Sequence, residues 1–345
     1  MSKKTDELDC REMLEKYKNV FDEDIILDAH VCDAVLKDKK AIATMLKIAI
    51  ATRIPIDADD LYENAWFGCP PSDEPIIKEN KDPYKMDMAE AENGYTEVTA
   101  LTKKNSKFIE AVVALDSNYG SDDMLLVPDY GFNPIRDISS SKKECGSTRY
   151  WFTFMKNNHT EEEYKHSVYG AVIAIDRTNS THLESAVEGR KKMADIILSR
   201  CPNYEALLDA LRDDFNPDFP ESEHHLLYLM SKPIDGKRSE TKRCNLSFAT
   251  KFLAYAAQYL LEDFIYSKYD SVVSEKLPDY SYVYLGEQKN KNYYKANGAS
   301  KTFEEKMKIY AKYSTDIQRI LDKPDVKKAG INRNTFDHIV WYCNK

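Results

Sequence analysis

The 345-residue sequence contains no apolar run long enough to cross a bilayer. Its longest mostly apolar stretches, Ala41–Ala51 and Val168–Ile175, fall well short of the roughly 20 residues a spanning helix needs. The first residues, MSKKTDELDC, are charged and lack the apolar centre of a signal peptide, so a cytoplasmic protein with no membrane partner is expected. The seven cysteines (Cys10, Cys32, Cys69, Cys145, Cys201, Cys244 and Cys343) are odd in number and form no C-x-x-C pair. That argues against a disulfide framework or a zinc site and for a reducing compartment. H-E-x-x-H, P-loop and G-x-S-x-G patterns are also missing. His224 and His225 are adjacent, and on a helix they point in different directions, which excludes a paired metal site. No metal and no cofactor are expected.

What is present is unevenly distributed. The formal net charge is -9, which by itself argues against a polyanionic partner. Residues 1–200 carry about -10 of it, whereas residues 201–345 are close to neutral, at about +1. Within the second half, Lys232, Lys237, Arg238, Lys242, Arg243 and Lys251 outnumber Asp235 and Glu240. Lys289–Lys345 is also basic, the footprint of a nucleic-acid-facing surface. The acidic half limits non-specific binding on this reading, and it offers a surface to a protein partner.

Hydrophobic periodicity divides the chain into an N-terminal part and a C-terminal part. Helical spacing is expected through residues 5–53, ending at Arg53-Ile-Pro, and residues 54–95 are loop-rich. The β-branched and aromatic runs 108–116, 124–130, 149–155 and 168–176 predict strands of an antiparallel sheet. From Thr181 the period is helical again, and Asn216-Pro-Asp-Phe-Pro-Glu-Ser breaks it. The expected fold class is therefore α+β. A mixed N-terminal domain over residues 1–215 holds the sheet, and an all-helical domain spans residues 216–345.

The second of these contains the stretch most suggestive of chemistry, TKRCNLSFATKFLAYAAQYLLEDFIYSKYDSV over residues 241–272. A basic turn enters a helix, with Asn245 or Ser247 placed to cap it. Phe248, Phe252, Ala256 and Leu260 form the apolar stripe, and Lys251 lies beside it. A lysine in that position usually extends its amine to solvent. Tyr255, Tyr259, Tyr266, Tyr269 and Trp341 are mostly packing residues by type, with Tyr255, Tyr269 and Trp341 the candidates to line a pocket.

The order of these features resembles the helix–hairpin–helix DNA glycosylases, in particular the 8-oxoguanine DNA glycosylase branch, over residues about 222–345. The matching points are the lysine after the basic turn and Tyr269-Asp270-Ser271-Val272-Val273 running to Leu277-Pro278. The spacing of Arg333, Asp337, Trp341 and Lys345 matches as well. One departure is the turn itself, Lys242-Arg-Cys-Asn-Leu-Ser, which lacks the glycines that let a backbone approach a phosphate closely. No cysteine spacing fits an iron–sulfur cluster.

The resemblance implies a helix–hairpin–helix domain and a DNA N-glycosylase with AP-lyase activity. Its partner would be duplex DNA with a flipped base, or single-stranded DNA. Lys251 would be the nucleophile that forms a Schiff base, and Asp270 would stabilise positive charge on the sugar. Lys237, Arg238, Lys242, Arg243, Asn245 and Ser247 would face the phosphates. The alternative is a non-catalytic nucleic-acid-binding or interaction module on the same frame.

Overall fold

The computed structural model describes residues 86–106, 109, 148–157, 160–179, 181–183, 188–234, 244–296 and 301–344. The chain divides into two compact units, Met1–Ala89 with Thr99–Asp116 and Glu90–Val98 with Ser117–Lys345. The helices expected in 5–53 and the strands expected over 108–116 and 124–130 lie outside the described residues, apart from Ile109. A short antiparallel hairpin, β1 (Met88–Glu90) and β2 (Glu97–Thr99), turns at Gly94. The φ of +68° there suits a residue without a Cβ. Apart from this hairpin the described residues are mostly helical, which is compatible with the α+β class.

Two expected strands are helices. RYWFTFM lies in α1 (Thr148–Asn157), and VYGAVIAID lies in α2 (Glu161–Thr178). Local chemistry explains the second. Thr160 and Glu163 form a capping box, and Glu161–Glu163 place acid against the positive end of the helix. From Ala171 to Asp176 every residue is buried, so this stretch has no polar face to reveal a helical period. Gly170 allows the close approach of α1, since a Cβ there would overlap the Trp151 indole.

Next come α3 (Gly189–Arg200), α4 (Tyr204–Arg212), a 3₁₀ turn (Pro220–His224), α5 (Leu226–Ser231) and α6 (Leu246–Ala256). The proline-rich break at 216–220 is irregular, as expected, and the helices on its two sides pack together, α3 against α5 and α2 against α6. Helix α6 is central rather than amphipathic, for within Leu246–Ala256 all but Ser247 are buried. Phe152 of α1 meets Phe252 edge-on at 5.4 Å between ring centres, and Phe248 stacks on Phe252. Each such ring removed from water contributes about 2–3 kcal/mol.

After α6 a π turn (Ala257–Leu261) ends at Glu262 in the left-handed region, and Asp263–Asp270 has no regular secondary structure. The chain then forms α7 (Ser271–Leu285), α8 (Phe303–Leu321), α9 (Pro324–Lys328) and α10 (Arg333–Asn344). Helices α7, α8 and α10 pack on one another, and the irregular segment lies between them and α6. Asp270 caps α7 through a 2.8 Å bond from Val272 N–H, and Gly286 ends it at φ +68°.

Candidate active site

Lys251 and Asp270 meet, although they stand nineteen positions apart in the sequence. Lys251 Nζ lies 3.7 Å from Asp270 Oδ2, an ion pair too long for a hydrogen bond. The other polar neighbour of the amine among the described residues is the Asn179 carbonyl, at 3.5 Å. The lysine is only 8% exposed, so its amine does not extend to solvent as a lone lysine beside a core face would be expected to. A charged ammonium wants three good acceptors, and here it has two distant ones. Desolvation therefore pushes the Lys251 pKa below its ordinary value. The carboxylates of Asp270 and Asp337 oppose that shift, and the Lys268 ammonium reinforces it.

Asp270 reaches this position because Tyr269 N–H donates to the Thr250 hydroxyl at 3.0 Å, one residue before Lys251 on α6. Asn179 reaches it because the turn after α2 is locked. Asp176 accepts from Arg190 Nε at 2.7 Å, Thr181 Oγ1 at 2.6 Å and Leu183 N–H at 2.7 Å, all buried. The Asn179 amide oxygen also accepts from the Tyr255 hydroxyl at 3.2 Å, bringing Tyr255 to the site.

Lys268 is the cation the sequence analysis overlooked. Its Nζ donates to Asn334 Oδ1 at 2.8 Å and sits 4.5 Å from the centre of the Tyr255 ring, a cation–π contact. Asp337, one helical turn before Trp341 on α10, has a buried Oδ1 with no hydrogen-bond partner among the described residues, and burial raises its pKa. The legible signal for Lys268 was its place two residues before Asp270, since alternate residues of an extended segment share a side. Asp337 entered only through the resemblance, by its spacing from Arg333 and Trp341, and Asn179 carried no comparable signal.

The remaining candidates are placed as follows. Asn245 stands at the N-cap of α6, as expected, but makes no side-chain capping bond among the described residues. Its amide instead donates to Lys232 O at 2.7 Å and, with Asn245 N–H to Ser231 O, ties the start of α6 to the end of α5. Ser247 is in the first turn of α6, half-buried. Tyr269 is 3% exposed and both uses of its hydroxyl are structural, donating to Tyr294 O and accepting from Ala296 N–H. Trp341 packs edge-on against Tyr342. Lys237, Arg238, Lys242 and Arg243 lie outside the described residues.

No group of metal-ligating side chains occurs among the described residues, and no helix among them is long and apolar enough to cross a membrane. No protein-family model, curated protein or solved structure matches the chain.

Proposed function

We propose that this protein is a DNA N-glycosylase with AP-lyase activity, with Lys251 as nucleophile and Asp270 as its electrostatic partner. One observation carries the reading. A buried amine, poorly hydrogen-bonded and depressed in pKa, lies within 4 Å of a carboxylate already held by its own helix cap. Neutral amine is what nucleophilic attack requires, and a fixed carboxylate is what an electron-poor sugar requires.

In this mechanism Lys251 Nζ attacks C1′ as the C1′–N bond breaks, and the base leaves with the bonding pair and takes up a proton. Ring opening gives a protonated imine between C1′ and Nζ. Loss of a C2′ proton then expels the 3′ phosphate, and water frees the lysine. Asp270 faces the positive charge throughout, while desolvation, reinforced by the Lys268 ammonium, weakens the hold of the resting amine on its proton. Asn245 ties the start of α6 to the end of α5, and in the sequence the basic residues 237–243 fall between these two helices.

Borohydride trapping on oligonucleotides carrying 8-oxoguanine or other modified bases tests the assignment. The reagent adds hydride to the imine and fixes the chain to DNA. The expected result is an adduct with the wild type and none with Lys251→Gln. An adduct on no substrate, or one that persists in the variant, rejects the mechanism.

A second reading is favoured by the enclosure of Lys251 and by the use of Asp270 as a cap. Both features also suit a structural ion pair in a non-catalytic nucleic-acid-binding module. That module would bind DNA in a salt-sensitive way, with affinity unchanged by Lys251→Gln.

A further inference from the structure

A cleft of about 430 Å³ opens on the other side of the irregular segment, and neither Lys251 nor Asp270 lines it. One wall is the end of α4 and the residues after it, Arg212 to Phe215. The opposite wall is the α8 face that carries Ser314, Thr315 and Gln318. Ile265, Tyr266 and Arg333 also line it.

Arg333 is the unusual member. Its guanidinium is largely desolvated, which lowers its pKa, and among the described residues no carboxylate lies within ion-pair distance of it. Nη1 bonds only neutral oxygens, the Ser267 hydroxyl and the Ser314 carbonyl (2.9 Å) and hydroxyl (3.1 Å). Nε and Nη2 have no acceptor among the described residues, and neither is a buried unsatisfied atom, so both keep some exposure on a residue that lines the cleft. A half-buried cation held by neutral groups with donors to spare is a site for an anion.

The other charges narrow the ligand. Arg319 is already paired with Asp316 at 2.8 Å and with Glu287, and Arg212 lies 3.6 Å from Asp209. On the facing wall Asp213 is paired with Arg200, while Asp214 is exposed with no ion-pair partner among the described residues. A ligand that satisfies both walls has an anion at one end and N–H donors at the other. Its body must be flat enough to lie along Phe215 and Ile265.

We propose that this cleft binds a nucleoside monophosphate, with the phosphate on Arg333 and base N–H groups directed to Asp214. The volume admits one such molecule, and Arg333 offers the phosphate a two-pronged contact through Nε and Nη2.

Titration calorimetry on the full chain tests this with guanosine 5′-monophosphate, adenosine 5′-monophosphate, guanosine, inorganic phosphate and a short DNA duplex. The expected result is saturable binding of at least one monophosphate, with guanosine at least about tenfold weaker, the loss of one charge-assisted contact. Arg333→Met should weaken the monophosphate by at least about tenfold and Arg333→Lys by less. Arg333 also ties α8 to the irregular segment, so Thr315→Glu is the companion variant. It leaves Arg333 intact, puts a carboxylate on the exposed face of α8, and should abolish binding without lowering Tm. No heat with either monophosphate, or binding that Thr315→Glu leaves unchanged, overturns the proposal. So does Arg333-dependent binding of the duplex with neither mononucleotide bound. Lys251 chemistry takes no part in any of these measurements, so the two proposals can fail separately.

Discussion

Two buried ion pairs stand on either side of Asn179, and they are built to opposite specifications. Asp176 and Arg190 lie at 2.7 Å, with side chains 0% and 4% exposed, and the carboxylate is further satisfied by Thr181 and Leu183. Lys251 and Asp270 lie at 3.7 Å, and among the described residues the amine has only the distant Asn179 carbonyl besides. The first pair offsets the cost of desolvating charge with short, well-directed bonds. The second leaves that cost largely uncompensated on the lysine. A loop is held in place by the first arrangement, and an amine is kept ready to lose its proton by the second.

If that contrast is right, the largest stability effect belongs to the tight pair. Asp176→Asn or Arg190→Leu leaves a buried charge without its partner and should cost about 3–5 kcal/mol in urea denaturation. Lys251→Met should cost less than about 1 kcal/mol, since Asp270 keeps its cap bond and the variant sheds a desolvated charge. Equal costs at the two sites would erase the distinction.

The next effect concerns pH. A lysine whose folded pKa lies below its unfolded value of about 10.5 binds its proton more weakly in the folded chain. The penalty is complete below the folded pKa and fades as pH rises from there towards 10.5. Wild type should therefore gain stability relative to Lys251→Met as pH climbs through that alkaline window. A constant difference would mean an amine of ordinary basicity. Lys268→Met removes the neighbouring positive charge, so the midpoint of any Lys251-dependent trapping should move to higher pH. An unchanged midpoint would remove Lys268 from the site.

Smaller effects test the supports. Gly170→Ala forces a methyl into the Trp151 indole and should cost about 1–3 kcal/mol by thermal denaturation. Asp270→Ala loses the α7 cap, worth about 1 kcal/mol, while Asp270→Asn keeps it. A trapping defect shared by both variants then isolates the carboxylate's charge from its capping bond.

The pairing of Lys251 with Asp270 was expected only through the resemblance, in which an aspartate follows the helix that carries the lysine. The burial of Lys251 was not legible, because a stripe at helical spacing says which face packs first and not whether the opposite face is covered too. The α2 stretch misled for a related reason: a helix buried on all sides loses its polar face and reads like a strand. Helix α7 fits the all-helical expectation for residues 216–345 and accommodates Pro278 in its interior. Asn179 was the site residue least visible in sequence, since it acts through a turn whose position only the packed chain fixes; Asp337 was marked by the resemblance, but its influence on Lys251 was not.

The stretch from Asp263 to Asp270 belongs to no helix or sheet, yet it is braced like a beam between pillars. Tyr310 and Tyr313 donate to the carbonyls of Ser267 and Lys268, and burial pushes both phenols up, so neither gives up its proton at physiological pH. Rigid rings with two rotatable bonds give such struts little slack. Amide deuteration should accordingly be as slow at Tyr269 as in the surrounding helices, because irregular backbone geometry and looseness are separate properties.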